Sequence, residues 1–453
     1  MNTSNPPGPD RIVTMEEIRK DPLQFLTWMH TTYGPITFHK TERDNVYSVF
    51  EPELVSQVMM LGESHFTKQG TPDDFMLTPL LGTGLLTSHG DTWIRQREIT
   101  QPMFYRKRIE SFSTMIVDEA QALADRWINA YHQGVDVRVD HDLTSMALTI
   151  IAKAMLGSDL SSVGRGFGKA VDAVNAHLSH GDPRDTPDTD EVIRDANGYP
   201  KGAAVLNSIV DMVIQARRLE TNLQEHDAKS DQQDFLTMLL ETSDPLTGEA
   251  LSGAEVHSQA LTMVMAGHET TAKALTWTLY LLDQHRNVRD KILTELDVVL
   301  GGRKPKPDDI ASLKWCRSAI QESMRLYPPI WVISRRSKQD QLVSGFLIEN
   351  GSLVCISPWI LHHDPKHWDN VDYFDPTRFL AYGTDRDRHA FLPFGLGPRQ
   401  CIGRGFAMME AVLALAVILQ NVDLKLKEGH IVEPQALVTL RPKHGLVMQP
   451  TPL

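Results

Sequence analysis

Cys401 stands in FLPFGLGPRQCIGRGFA, residues 391–407, between a glycine-rich loop and a run of strong helix formers. Gly395, Gly397 and Gly403 let the backbone turn with φ > 0 and come close to a flat partner where a Cβ would obstruct it. The run FAMMEAVLALAVIL predicts a long buried helix that begins just after the cysteine, so its free N–H groups face the sulfur. Partial positive charge at a helix N-terminus favours the thiolate, the form of cysteine that binds metal. The chemistry open to this stretch is metal ligation; a structural cysteine in a tight turn is the alternative.

Three other groupings could carry chemistry. In AGHETT, residues 266–271, Gly267 costs about 1 kcal/mol against Ala in a helix interior, and Glu269 and Thr270 interrupt an apolar stretch. A threonine hydroxyl competes for a backbone carbonyl, so Gly267 and Thr270 together could open the helix into a groove for a small ligand or water; a simple kink is the other reading. Glu322 and Arg325 in QESMRLYPP share a helix face and can pair. His363 and His367 have a spacing that grips metal on a helix, but Asp364-Pro365 breaks the helix and no third ligand accompanies them. Both are expected to be surface residues.

Phe394, Gly395, Gly397, Arg399, Cys401 and Gly403 spell F-G-x-G-x-R-x-C-x-G, which resembles the haem-binding signature of the cytochrome P-450 family. The likeness covers the whole chain, with WIRQR, AGHETT, ESMR, FDPTRF and FGLGPRQC in the family's order. It is closest in kind to soluble bacterial members, similar to stand-alone versions of fatty-acid hydroxylase haem domains. The resemblance implies haem b (iron protoporphyrin IX) ligated by Cys401, whose thiolate pushes electron density toward O–O cleavage. It implies a monooxygenase that activates O2 and inserts one oxygen atom into a lipophilic substrate, fatty acid or terpenoid-like, by hydroxylation or epoxidation. Thr270 would hydrogen-bond the oxygen being activated and Glu269 would relay protons, next to Ala266 and Gly267 at the cofactor. Glu322 and Arg325, joined by Arg378 of FDPTRF, would form a buried scaffold. Trp93 and Arg97, on one helical face, would meet the haem propionates with Arg335 and Arg399, while Arg336 points away.

By the same likeness Phe75, Met76, Leu77, Leu80, Leu85, Met263, Ala266, Ile330, Val332 and Val438 line an apolar substrate pocket. Two rivals are a haem-thiolate enzyme that uses peroxide or rearranges a bound substrate, and a haem-thiolate sensor without turnover. The Glu-Thr pair argues against both.

Steps back from the site agree with this. The 453 residues are 41% hydrophobic and 23% charged, ordinary globular composition with no linker, so residues 1–453 are expected to form one domain. The implied fold is mainly α, a triangular helical prism with small β-sheets. Three distant cysteines, Cys316, Cys355 and Cys401, point to a reducing compartment. The longest apolar run, AVLALAVIL, is too short for a membrane span, so a cytoplasmic protein without an anchor is expected. A net charge of −13 disfavours a nucleic-acid partner. The chain stops soon after ALVTLRPKHGLVM, expected to be a terminal β-hairpin, leaving no length for a flavin or iron–sulfur domain. Electrons would come from an external ferredoxin or flavodoxin with its NAD(P)H-dependent reductase, steered to Arg95, Arg106, Lys107, Arg108 and Arg404.

Along the chain, helices are expected at MEEIRKDPLQFLTWMHTTYG, EPELVSQVMML, from DTWIRQREITQPMF through about residue 180, at LNSIVDMVIQARRL, over 252–285 and twice before Pro328. PITFHK and NVYSVF read as a β-hairpin, residues 66–88 as a loop over a pocket, 181–201 as a mobile surface loop, LVSGFLIENGSLVCISP as strands, and 362–400 as mostly irregular.

Overall fold

The longest helix among the described residues, Gly253–Gln284, here called the central helix, is apolar through LTMVMAG and ALTWTLYLL. Ser252 and Glu255 close a capping box at its start, satisfying two of the orphan N–H donors there. The computed structural model describes residues 5–157, 174, 201–223, 234–244, 247–380 and 388–453. Against the central helix pack Val139–Leu156, Lys314–Leu326 and Arg404–Asn421, the last here called the ligand helix. A Cβ on Gly267 would lie 2.8 Å from Ile151 Cγ1, so glycine there lets the Val139–Leu156 helix approach closely. The central helix runs unbroken past Gly267.

The ligand helix is the one helix among the described residues long and apolar enough to cross a membrane, and it is instead wrapped by the core: Val412 to Ile418 are all at most 1% exposed. Within it Glu410 is buried, and neither carboxylate oxygen has a hydrogen-bond partner among the described residues. Burial alone pushes its pKa well above the ordinary value. The folded state therefore binds a proton that the unfolded state releases, and stability falls as pH rises from the unfolded value toward the folded one, at about 1.4 kcal/mol per pH unit. Glu410→Gln is expected to raise the melting temperature at pH 7, with the gain shrinking toward pH 4. An equal effect at both pH values would contradict this.

A five-stranded sheet lies beside the helices, in the order Ile36–Lys40, Asn45–Val49, Leu353–Ile356, Ile333–Ser337, Phe66–Thr67. The first two form the expected hairpin, Phe38 opposite Tyr47. Most helices fall where the pattern put them, including Pro52–Leu61, Gly90–Thr100 and Lys201–Leu223. The N-terminal stretch is two helices, Met15–Lys20 and Pro22–Tyr33, divided at Asp21, which caps the second.

Residues 66–88 are not simply a loop. Helix Pro72–Leu81 occupies the middle, begun by the Thr71 cap and Pro72 and ended by Gly82 at φ 67°. The C-terminal segment is not one hairpin either. Pro434–Ala436 pairs with Leu440–Pro442, and after a turn through Gly445 at φ 70° the chain pairs Val447–Pro452 with Val422–Leu426. The turn-rich segment 181–200, and the helical pattern expected beyond residue 157, lie outside the described residues apart from Val174. No disulfide joins the three cysteines, and Cys316 is fully buried.

Candidate active site

The ligand helix begins at Arg404, with Gly403 as its N-cap, two residues later than the sequence pattern suggests. The N–H groups of Gly403 and Arg404 are nonetheless directed at the Cys401 thiol, as the loop predicts. Burial pushes the thiol up, while these N–H groups and the Arg97 charge pull it down. By accessible surface Cys401 is exposed, yet protein surrounds it. Both hold if the sulfur lines an internal space, which is how we read it. Gly397 at φ 72° lies against Met59, where a Cβ would sit 2.3 Å from the carbonyl oxygen. That contact fixes the loop on the Pro52–Leu61 helix.

Ala266 repeats the pattern on the central helix: it is exposed although Leu261 to Met265 and His268 are buried. Thr270 Oγ1 donates to Ala266 O at 3.0 Å, the competition for a carbonyl foreseen from its type. Gly267 has a packing reason in its contact with Ile151. Glu269 turns toward the C-terminal segment, where its Oε1 accepts from Thr439 Oγ1 at 2.9 Å. Lys273, one turn on and buried, is pushed down by burial and held up by the charges of Glu269 and Asp140.

Trp93 and three arginines, Arg97, Arg335 and Arg399, were expected at the pocket edge. Arg335 and Arg336 do split to opposite faces of their strand. Arg336 bonds Asp44 Oδ1 at 2.8 Å and Gly351 O. Arg335 is buried, and its one described hydrogen bond runs to the neighbouring Ser334 carbonyl at 2.8 Å, with no carboxylate in reach among the described residues. Burial, then the nearby Arg399 charge, push it down to about 10. A buried guanidinium in that condition calls for an anion. Arg97 bonds Gln400 O at 3.1 Å, beside the cysteine. Arg399 is paired with Glu63, donates to Ser88 O at 2.7 Å and stacks 4.4 Å over the buried Trp93 ring, so it also holds Trp93 and the ligand loop.

Two participants were missed in the sequence. Glu63 has no local motif to mark it. Lys68 is half-exposed by surface yet enclosed, as Cys401 is, and burial pushes it down to about 8 with Arg335 and Arg399 adding to the effect.

Behind the site, Arg325 Nε and Nη2 grip Glu322 at 2.8 and 2.7 Å with both side chains 0% exposed. Arg378 joins Glu322 at 3.2 Å, completing the expected trio. Of the expected pocket residues, Leu77, Leu80 and Met263 are buried in the main core. Met76, Leu85, Ile330, Val332 and Val438 are half-buried, and Phe75 is exposed.

An enclosed cysteine at a helix start, an unanswered buried arginine and a polar interruption of the central helix fit a haem with its two propionates. The family model for "Cytochrome P450" matches residues 6–452. The chain belongs to the cytochrome P450 family. The putative cytochrome P450 132 of Mycobacterium tuberculosis is 32% identical over 88% of this chain and 86% of its own. Cyclooctatin synthase of Streptomyces melanosporofaciens is 31% identical over 93% and 89%, and pentalenene oxygenase of Streptomyces avermitilis 30% over 94% and 91%. The crystal structure of the cytochrome P450DA heme domain superposes with a TM-score of 0.86 at 28% identity, covering 99% of this chain and 97% of that one. As a cytochrome P450, the protein has the mainly α fold of that family with its small sheets, holds haem b through a cysteine thiolate and works as a monooxygenase. It also needs an electron-transfer partner, O2 and an organic substrate.

Proposed function

We propose that Cys401 is the thiolate ligand, that Arg335 and Arg97 with Trp93 receive the propionates, and that Thr270 and Glu269 deliver protons, in one cytoplasmic haem domain over residues 1–453 without a membrane anchor. The observation that carries this is the Cys401 thiol, solvent-accessible yet surrounded by protein, just before the start of the ligand helix. Bound haem supplies O–O cleavage and oxygen-atom transfer. Because burial holds the thiol protonated, ligation must release a proton, and the Arg97 charge and the Gly403 and Arg404 N–H groups ease that loss.

Thr270 keeps its hydroxyl satisfied on Ala266 O, from which a small rotation frees it to donate into the site. Glu269, anchored by Thr439 and answered by Lys273, can swing between the C-terminal segment and the site as a proton carrier. Thr270→Ala and Glu269→Gln are expected to cut product formation by about two orders of magnitude while cofactor oxidation continues and peroxide rises. Unchanged coupling in both variants would remove the relay.

The half-buried apolar residues Met76, Leu85, Ile330, Val332 and Val438 support a lipophilic substrate. Relatives named pentalenene oxygenase and cyclooctat-9-en-7-ol 5-monooxygenase favour a terpenoid-like skeleton over a fatty acid.

For electrons, a ferredoxin or flavodoxin would meet Arg106, Lys107, Arg108 and Arg404, all exposed. Ile109, next to Arg108, lies 2.9 Å from where a Gly405 Cβ would sit, so the Arg106–Glu110 helix packs on the start of the ligand helix. Arg95 drops out, since it is half-buried in bridges to Glu255 at 2.7 Å and Asp244 at 3.4 Å, whereas Arg106 stays exposed although paired with Glu110 at 2.6 Å. Reversing Arg106, Lys107 and Arg108 to Glu together should slow reduction by the partner, which should itself slow steeply with salt, and leave reduction by dithionite unchanged. No slowing with either reductant would place docking elsewhere.

A further inference from the structure

His367 was set aside in the sequence for want of companions, and the fold brings them. Glu51 precedes helix Pro52–Leu61 and makes no capping bond. Asp364 and His367 follow the short helix Pro358–His362, and His30 comes from helix Pro22–Tyr33. Ligating atoms of Glu51, Asp364 and His367 all lie within 4.8 Å of one another, and His30 Nε2 lies 3.5 Å from Asp364 Oδ2. We propose that His30, Glu51, Asp364 and His367 form a site for one divalent metal ion of the zinc type, which ties the N-terminal helices to the turn after Pro358–His362.

The donor set is two imidazole nitrogens and two carboxylate oxygens, which suits four-coordinate zinc. With bonds of about 2.1 Å, neighbouring ligand atoms of a tetrahedron stand about 3.4 Å apart. The two close approaches here are 3.5 Å, His30 to Asp364, and 3.2 Å, His367 Nε2 to Glu51 Oε1. Each is within ion-pair distance for a protonated imidazole, but neither has hydrogen-bond geometry. Asp364 is 2% exposed, and its Oδ2, like His367 Nε2, has no hydrogen-bond partner among the described residues. The other oxygen, Oδ1, accepts from Lys366 N at 2.9 Å, which orients the carboxylate as an outer contact to a ligand should. His363 takes no part, being bonded through Nδ1 to Trp359 O at 2.8 Å. Lys366 Nζ, 3.9 Å from Glu51 and largely exposed, is free to swing aside.

The test uses haem-loaded protein, treated with a chelator, dialysed against buffered Zn²⁺ and analysed for zinc by mass spectrometry. One zinc per chain is expected, with Kd raised at least about tenfold in His367→Gln and in His30→Gln while haem content and the carbon monoxide spectrum stay unchanged. If either variant also loses haem, Glu51→Gln, at the solvent side of the site, takes its place. X-ray absorption at the zinc edge should show nitrogen and oxygen at about 2.0–2.1 Å with imidazole outer shells. No zinc retained, equal affinity in the variants, or sulfur at about 2.3 Å would overturn the proposal.

Discussion

Arg325→Ala is expected to yield almost no haem-loaded protein. All five N–H groups of this guanidinium are used: two on Glu322, and the rest on the carbonyls of His362 (2.9 Å), Val371 (2.7 Å) and Tyr373 (3.2 Å). Its flat face lies 5.1 Å from the Trp368 ring. Truncation strands the Glu322 carboxylate in a fully buried position with only Arg378 and Asp375 N to answer it. Removing one partner of a buried pair costs about 3–5 kcal/mol, against a whole-domain stability of about 5–15 kcal/mol. Arg325→Lys should rescue little, since an ammonium cannot reach two carboxylate oxygens and three carbonyls at once. Haem content after purification and the melting temperature of whatever is recovered give the readout. A variant with normal haem content and a melting temperature within a degree or two of the parent would show that the trio is dispensable.

Within this trio Glu322 and Arg325 were legible because they share one helix turn, whereas Arg378, 56 residues from Glu322, was placed only by the likeness of FDPTRF to the family's segment. The central helix was legible because a stretch apolar through LTMVMAG and ALTWTLYLL can be little else, and its ends fell within one residue. Helix Pro72–Leu81 was hidden by its own composition. Pro72, Pro79 and the flanking Gly70 and Gly82 all read as breakers, although proline at the first helical position and glycine past the end are start and stop signals. The C-terminal pairing was misread because strand partners depend on where a turn sends the chain, and alternation says nothing about that.

Candidate-site residues followed the same division. Alternation along the strand separated Arg335 from Arg336, and the loop placed Cys401 at a helix start. What the loop could not reveal was that Arg399 is answered by Glu63, 336 residues away in the chain. Nor could His367 announce Glu51 and His30, which only the fold brings beside it. Local chemistry was readable, and long-range pairing was not.

Everything assigned to the site depends on the Cys401 sulfur being the ligand. The direct measurement is the absorption spectrum of the reduced protein under carbon monoxide, taken on the parent, Cys401→His and Cys401→Ser. Thiolate ligation predicts a strongly red-shifted Soret band in the parent. The histidine variant should keep haem, since Arg335, Arg97 and the apolar walls remain, but lose that shift, and the serine variant should lose it too. A parent spectrum like that of a histidine-ligated globin, or a red-shifted band that survives in Cys401→His, would contradict the account.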